Sequence, residues 1–313
     1  MRIAFLGKGG SGKTTLAAGL ISHYASRRFV LAVDADINSH LQNTLGIEKP
    51  APAIGGKFAE VGEYLKGSRE DLQNTNIVAT TPPSLKSKFV TVQNQSDFIE
   101  KFGTITGNIG VINIGSFEPS DIGHTCYHGK LNTLELIYHH MLDTEKDLVV
   151  ADGTAGIDNL GTSLFMAYDL NIFVVEPTLK SIQVYLDFVT KAKTYSLKTK
   201  VIVNKYTSED LEFIQKYIPK EDIIGYISLS SSLKQFEQGE REYFEVFKNQ
   251  NEAIFSSILR EAFNIKKDWN NYLKLLLQTH KLNSLEWWDD YYHQEISKQF
   301  DPKFSYSKAI ENL

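Results

Sequence analysis

The chain has 313 residues, of which 42% are hydrophobic and 23% are charged, with 8 prolines and a formal net charge of −5. This composition is typical of a globular protein that buries a large core in one large α/β domain or two smaller ones. The acidic balance argues against a nucleic-acid-binding surface over most of the molecule. A single cysteine excludes an intrachain disulfide framework. We expect a cytoplasmic protein without a signal peptide or a transmembrane segment.

The first informative pattern is an apolar run at residues 3–6, followed by GKGGSGKT at residues 7–14 and by helical spacing at residues 15–21. A strand, a glycine-rich turn and a helix form the context that a phosphate-binding P-loop requires. Glycines let backbone N–H groups converge on an anion, and the helix adds its positive N-terminal end. We therefore predict an ATP site in which Lys13 reaches the β- and γ-phosphates and the Thr14 hydroxyl holds Mg²⁺. The predicted nucleotide-binding residues here are Gly9, Gly10, Ser11, Gly12, Lys13, Thr14 and Thr15.

Lys8 is a second lysine in a loop that Lys13 already serves. It is either a solvated turn residue or a cation supplied to the phosphoryl group of a partner subunit. The loop resembles the deviant Walker A motif, KGGxGKT, of the family that contains the MinD, ParA and CooC ATPases. That resemblance implies a homodimer in which ATP lies between two subunits and Lys8 acts catalytically across the interface.

Two predicted strands end in carboxylates. The apolar run at residues 29–33 leads into Asp34 and Asp36, and the run at residues 147–151 leads into Asp152. Because nucleotides bind at the carboxyl ends of parallel strands, these side chains are expected to face the P-loop. Asp152 would support Mg²⁺. The family resemblance implies that Asp36 orients the attacking water and that Asp34 has a supporting role. The alternative is that these two carboxylates only begin a polar turn after the strand.

Residues 153–161, GTAGIDNLG, are predicted to form a flexible loop that senses the γ-phosphate, or else a connection without a switching role. Together with Asp152 they resemble the switch segment of CooC-type nickel-insertion ATPases. Their resemblance to the division and partition proteins is weaker.

A loop at residues 116–129 contains Cys126 and His128 and leads into a helix predicted at residues 132–142. In CooC-type proteins a Cys-x-Cys pair from each subunit binds metal at the dimer interface. Here an imidazole replaces the second thiolate. Two copies would offer two sulfurs and two nitrogens, a set that suits Zn²⁺ and accepts Ni²⁺. A free thiol beside a surface imidazole is the alternative.

Further strands are predicted at residues 170–177, 200–205 and 223–227, with helices at residues 58–65, 182–194 and 208–217. Asn204 ends one of these strands. It either caps the strand or, as the resemblance implies, reads the adenine edge with its amide. The alternation predicts an α/β fold with a doubly wound, mostly parallel sheet and helices on both faces.

We divide the chain into a P-loop ATPase domain at residues 1–260 and a helical, aromatic-rich extension at residues 261–313. The aromatic residues of the extension either pack on the first domain or dock a partner; they are Trp269, Tyr272, Trp287, Trp288, Tyr291 and Tyr292. Its acidic residues and the lack of a basic face argue against membrane targeting. Three functions stay open: metal insertion into a metalloenzyme such as a nickel CO dehydrogenase, positioning or partition, and regulation of a complex without metal.

Overall fold

A computed structural model describes residues 1–121, 123, 126–156 and 158–313, without the side chains of residues 120, 158 and 159. Ile157 of the predicted switch segment therefore lies outside the described residues. Eight strands form the central sheet in the order β10-β9-β8-β1-β7-β2-β5-β4, and β3 pairs with β6 in a small second sheet. The strands are β1 Arg2–Gly7, β2 Val30–Asp34, β3 Val90–Thr91, β4 Thr104–Thr106, β5 Ile109–Asn113, β6 Met141–Leu142, β7 Val149–Ala155, β8 Leu170–Val175, β9 Thr199–Tyr206 and β10 Ile223–Ser228.

Helices connect these strands and cover both faces of the sheet. They are α1 Lys13–Ala25, α2 Leu41–Thr44, α3 Phe58–Lys66, α4 Asp97–Phe102, α5 Tyr127–His139, α6 Leu179–Ala192, α7 Leu211–Gln215, α8 Ser231–Glu237, α9 Glu242–Gln250, α10 Glu252–Phe263, α11 Trp269–Asn283, α12 Asp289–Tyr292 and α13 Tyr306–Glu311.

The central strands are buried on both faces, which is why they read as continuous apolar runs. Alternate residues of β1 enter different cores: Ala4 and Leu6 pack on one side, and Ile3 and Phe5 pack on the other. Seven strands run parallel, and β4 is antiparallel to β5 at one edge. The predicted fold, a doubly wound and mostly parallel sheet, is confirmed.

Two predicted boundaries are wrong. The helix expected at residues 132–142 begins at Tyr127 and ends at His139, and Met141 lies in β6. His128 therefore lies in the first turn of α5, and Cys126 directly precedes the helix; Gly129, a poor helix former, obscures this start in the sequence. The strand that carries Asp152 also continues to Ala155, so the predicted flexible loop starts later than expected.

The extension packs on the sheet domain through its inner aromatic residues. Trp269 stacks on Tyr306 with ring centroids 4.6 Å apart, and the hydroxyl of Tyr306 donates to the carbonyl of His139 at 2.6 Å. Trp287 and Tyr291, in contrast, stay 69% and 71% exposed. No helix among the described residues is long and apolar enough to cross a membrane. Packing and exposed aromatic surface are thus both present, and the division at residue 260 stays a prediction.

Candidate nucleotide site

The P-loop runs from the end of β1 into the first turn of α1. Gly12 precedes the helix with φ +99°, and its carbonyl accepts the first helical hydrogen bond from the N–H of Leu16 at 3.1 Å. Gly10 also has a positive φ, +78°. An L-amino acid at either position would be strained, because its Cβ crowds the backbone in the left-handed region. The sequence thus fixes the loop shape locally.

Asn204 and Lys205, at the end of β9, hold this loop from the neighbouring part of the sheet. The Asn204 amide donates to the carbonyl of Ser11 at 2.8 Å, and the Lys205 ammonium donates to the carbonyl of Gly10 at 2.7 Å. Lys205 also forms an ion pair with Glu176 at 2.9 Å. The amide of Asn204 is therefore engaged with the loop in this structure, and its contact with adenine stays a prediction.

Thr14 and Asp152 meet beneath the loop. The Thr14 hydroxyl donates to Oδ2 of Asp152 at 2.6 Å. In the sheet, Asp152 of β7 lies opposite Asp34 of β2, so two buried carboxylates are neighbours across the strands. Burial, together with the charge of Asp152, raises the pKa of Asp34 to about 8. Burial also raises the pKa of Asp152 to about 7, although Thr14 and Lys13 oppose the shift.

These residues fit a bound Mg²⁺. Oδ1 of Asp152 and Oδ1 of Asp34 are buried and have no hydrogen-bond partner among the described residues. Hard oxygen donors of this kind are the ligands and supporting groups that Mg²⁺ takes in phosphate sites. The roles predicted from the sequence, Thr14 holding the ion directly and Asp152 supporting it, stay predictions. The cation would also offset the charge that makes the two carboxylates costly to ionise.

Asp36 lies beside this pair at the wall of a cleft of about 600 Å³. Its Oδ1 accepts hydrogen bonds from the backbone and side-chain nitrogens of Asn38, both at 2.9 Å. The carboxylate therefore holds a polar turn and lines the cleft at once, so the two alternatives considered from the sequence are compatible. The predicted residues that line the same cleft are Gly9, Gly10, Gly12, Lys13, Thr14 and Thr15. Lys8 is half-buried at the start of the loop.

The segment after β7 reaches the P-loop, because the N–H of Gly156 donates to the carbonyl of Gly7 at 3.0 Å. A movement of this segment would thus act directly on the loop. The side chains of residues 158 and 159, which contribute to the resemblance, lie outside the described residues.

Tyr127 connects Cys126 and His128 to the acidic strand ends. Its hydroxyl donates to the carbonyl of Ala35 at 3.0 Å. Ala35 lies between Asp34, the last residue of β2, and Asp36, which follows the strand. Burial and the nearby carboxylates raise the pKa of Tyr127 well above its ordinary value. Cys126 and His128 are exposed, and Sγ lies 3.2 Å from Nδ1. Among the described residues no group of three or more His, Cys, Asp and Glu side chains could hold a metal.

Several residues of the site were missed from the sequence. Lys205 directly follows the identified Asn204, so its place at the strand end was available as a signal. Tyr127 stands between the two candidate ligands in the sequence, and no local pattern indicates its hydrogen bond to Ala35. Phe236 and Arg241, which line the cleft from α8 and from the residue before α9, carry no local signal because only the tertiary fold brings them there.

The fold and the loop define a P-loop nucleotide-binding protein. Residues 3–242 match the model of the CobQ/CobB/MinD/ParA nucleotide binding domain, and the chain belongs to this family. An uncharacterised ATP-binding protein of Methanocaldococcus jannaschii is 29% identical over 232 residues, which cover 72% of this chain and 84% of the relative. The carbon monoxide dehydrogenase accessory protein CooC of Rhodospirillum rubrum is 28% identical over 242 residues, which cover 76% of this chain and 87% of the relative.

Solved structures show the same fold. The ParA family ATPase from Chlorobium tepidum TLS superposes with a TM-score of 0.56 at 15% identity, and covers 83% of this chain and 96% of that one. The family that the loop, the acidic strand ends and the switch segment indicated is thereby confirmed, including the similarity to a CooC protein.

Proposed function

We propose that this protein is a Mg-ATP-dependent, homodimerising ATPase that acts as a nucleotide-gated switch in metal insertion into a metalloenzyme, such as a nickel CO dehydrogenase. One observation carries the proposal. Tyr127 lies between the two candidate metal ligands in the sequence and donates its hydroxyl to Ala35, beside the carboxylates of the nucleotide cleft. This hydrogen bond joins the segment that carries Cys126 and His128 to the residue before Asp36, which lines the nucleotide cleft.

In ATP hydrolysis, the residues of this protein would align the reacting groups and stabilise their charge. The P-loop N–H groups and Lys13 would hold the phosphates, and Thr14 with Asp152 would hold Mg²⁺, which neutralises phosphate charge when it is bound. Asp36 lines the cleft and would orient the attacking water. Charge stabilisation and alignment of this kind account for most phosphoryl-transfer catalysis.

Lys8 would complete the site of a second subunit. It begins the loop on the side away from α1, and Lys13 already serves the phosphates of its own chain. We therefore expect ATP to tighten the homodimer and ADP to loosen it, because the γ-phosphate is the group that Lys8 would contact.

Cys126 and His128 would bind Zn²⁺ or Ni²⁺ as cargo across the dimer. One subunit offers a thiol and an imidazole 3.2 Å apart, so two subunits offer the four donors of a tetrahedral site. The similarity to a CO dehydrogenase accessory protein supports this class of client.

The test is metal stoichiometry in the ATP-bound dimer, trapped with Asp36→Ala. We expect about one Zn²⁺ per dimer. A Cys126→Ser, His128→Ala double variant should lose the metal and keep ATP binding. His293→Asn, which alters an exposed imidazole of the extension, is the control. No metal in the dimer, or the same amount in the double variant, contradicts the metal-insertion function.

Two further variants test the ATPase and the dimer. Lys13→Ala should abolish ATP binding or turnover, and unchanged turnover would contradict the whole site. Lys8→Ala should keep ATP binding but lose the ATP-induced increase in molecular mass. A protein that stays monomeric in every nucleotide state would contradict the role of Lys8 in a partner's site.

A regulatory ATPase without metal is the second candidate, because the exposed Trp287 and Tyr291 give the extension a surface suited to a protein partner. A positioning or partition ATPase on DNA or membrane is the third. Retention on DNA that falls steeply with salt concentration would favour it, because counterion release accompanies phosphate contacts.

A further inference from the structure

A second cavity, of about 610 Å³, lies between α5, the segment after β7 and the C-terminal extension. It shares no lining residue with the nucleotide cleft. Small-molecule sites commonly enclose roughly 300–1,000 Å³. The cavity exists only because the extension folds back over the sheet domain.

Aromatic side chains form much of its wall. Phe165 and Tyr195 pack with ring centroids 4.4 Å apart, and Trp287 and Trp288 of the extension also line the cavity. The two tryptophans belong to a π-helical turn, Ser284–Trp288, that interrupts the helical extension. Single π-turns are uncommon and are concentrated at functional sites. Trp287 keeps 69% of its surface exposed, so it is available to a ligand.

One carboxylate supplies the charge of the cavity. Among the described residues that line it, Glu135 is the one acid, His128 and Tyr195 are the other titratable side chains, and there is no lysine or arginine. Glu135 itself is 4% exposed. When Glu135 is ionised, the electrostatic character of the cavity is therefore negative.

A chain of hydrogen bonds fixes this carboxylate in place. The Ser163 N–H donates to Oε2 of Glu135 at 2.8 Å, and the Ser163 hydroxyl donates to the same oxygen. His139, which burial keeps neutral by lowering its pKa, lies 2.8 Å from the Ser163 hydroxyl through Nε2 and 2.9 Å from the Tyr272 hydroxyl through Nδ1. Because the Ser163 hydroxyl gives its proton to Glu135, it accepts from the Nε2–H of His139, and Nδ1 is left to accept from Tyr272, whose hydroxyl also lies 3.5 Å from the carbonyl of Tyr138. The two hydrogen bonds that Ser163 donates to Glu135 therefore favour the ionised form of this carboxylate.

Burial nonetheless raises the pKa of Glu135 above its ordinary value, so ionisation is costly without a cationic partner. Aromatic faces attract organic cations, most strongly where water is excluded. The aromatic wall of the cavity and the carboxylate of Glu135 thus both favour a cationic ligand.

We infer that this cavity binds an organic cation, a guanidinium or alkylammonium group on an apolar stem, with Glu135 as its counter-ion and Trp288 as part of its wall. The cation belongs either to a free small molecule or to an arginine or lysine side chain of a partner. The inference does not depend on ATP hydrolysis or on metal binding at Cys126.

Calorimetric titration of the full chain with n-butylguanidinium, n-butylammonium and neutral n-butylurea tests it. The two cations should bind saturably, and the urea, which has the shape of the guanidinium without its charge, should bind at least about tenfold more weakly. Equal binding of the urea would overturn the inference. A capped tripeptide with a central arginine distinguishes the sources: binding as tight as that of n-butylguanidinium indicates a protein side chain, and weaker binding indicates a free small molecule.

Glu135→Gln should weaken cation binding by about tenfold or more, because it removes the charge and keeps an oxygen for Ser163. Glu286→Gln is the matched control, since it removes one exposed acid from the same π-helical turn outside the cavity wall. Trp288→Leu removes part of the wall without touching the hydrogen-bond chain and should also weaken binding. Wild-type affinity in both Glu135→Gln and Trp288→Leu, or an equal loss in Glu286→Gln, would overturn the site.

Discussion

Three glycines of the P-loop offer a graded test of how the loop is held. Alanine at Gly9 meets nothing within 4 Å of its Cβ. Alanine at Gly10 also meets nothing, but φ is +78°. Alanine at Gly12 has φ +99°, and its Cβ would collide with Nδ2 of Asn204. The three positions thus separate backbone strain from the contact with Asn204.

The magnitudes follow from these geometries. Gly9→Ala should be neutral or stabilise the protein by up to about 1 kcal/mol, because it restricts the unfolded chain. Gly10→Ala should cost about 1–2 kcal/mol of left-handed strain. Gly12→Ala should cost the same strain plus about 1–3 kcal/mol, because Asn204, which is 2% exposed, must leave the carbonyl of Ser11. The sum for Gly12→Ala is about 2–5 kcal/mol.

The measurement is the midpoint and slope of urea-induced unfolding, without nucleotide or Mg²⁺ so that ligand binding does not contribute. The expected order of stability is Gly9→Ala, then Gly10→Ala, then Gly12→Ala. In a double variant, Gly12→Ala with Asn204→Ala, the second change should cost little further stability, because Gly12→Ala has already removed the hydrogen bond from Asn204 to Ser11. If Gly12→Ala is no less stable than Gly10→Ala, Asn204 does not hold the loop as described.

Three other predictions concern the same site. Lys205→Met should weaken ATP binding several-fold, because it frees the Gly10 carbonyl; equal ATP affinity in wild type and Lys205→Met would contradict this role of Lys205. Glu176→Gln should change the free energy of unfolding by less than about 1 kcal/mol, because its ion pair with Lys205 is partly exposed. Burial raises the pKa of Asp34 to about 8 and that of Asp152 to about 7. Because the folded, nucleotide-free protein holds these protons more tightly than the unfolded chain does, its stability should fall as pH rises from about 4 to about 8. Thermal unfolding at pH 5 and pH 8.5 should show this loss, and Asp34→Asn should reduce it. Tyr127→Phe removes one hydrogen bond worth about 0.5–1.5 kcal/mol, so the ratio of Zn²⁺ affinities with ATP and with ADP should move toward one by up to about tenfold; an unchanged ratio would rule out coupling through this hydroxyl.

The sequence predicted the parts of the molecule that depend on local physics. The strand at residues 29–33 is a continuous apolar run because it is buried on both faces, and GKGGSGKT has its shape because Gly10 and Gly12 adopt positive φ. Asp34 and Asp152 were predicted to face the P-loop because nucleotides bind at the carboxyl ends of parallel strands. Each of these inferences needs only neighbouring residues and the general rules of strand burial.

The N-terminal end of α5 shows where local reasoning failed. No helix-favouring pattern surrounds Gly129, so the start of the helix was placed several residues too late. Tertiary packing of Leu131, Leu134 and Tyr138 stabilises the helix and overrides the weak local preference.

The sequence by itself therefore determined the family and the fold class, and it predicted the phosphate side of the site. Only the tertiary structure decided which distant groups meet. The hydrogen bond from Tyr127 to Ala35 spans 92 positions, that from Asn204 to Ser11 spans 193, and the cavity around Glu135 needs the extension to fold back over the sheet domain. Such contacts depend on strand order and on helix packing, and neither is recorded in the periodicity of one segment.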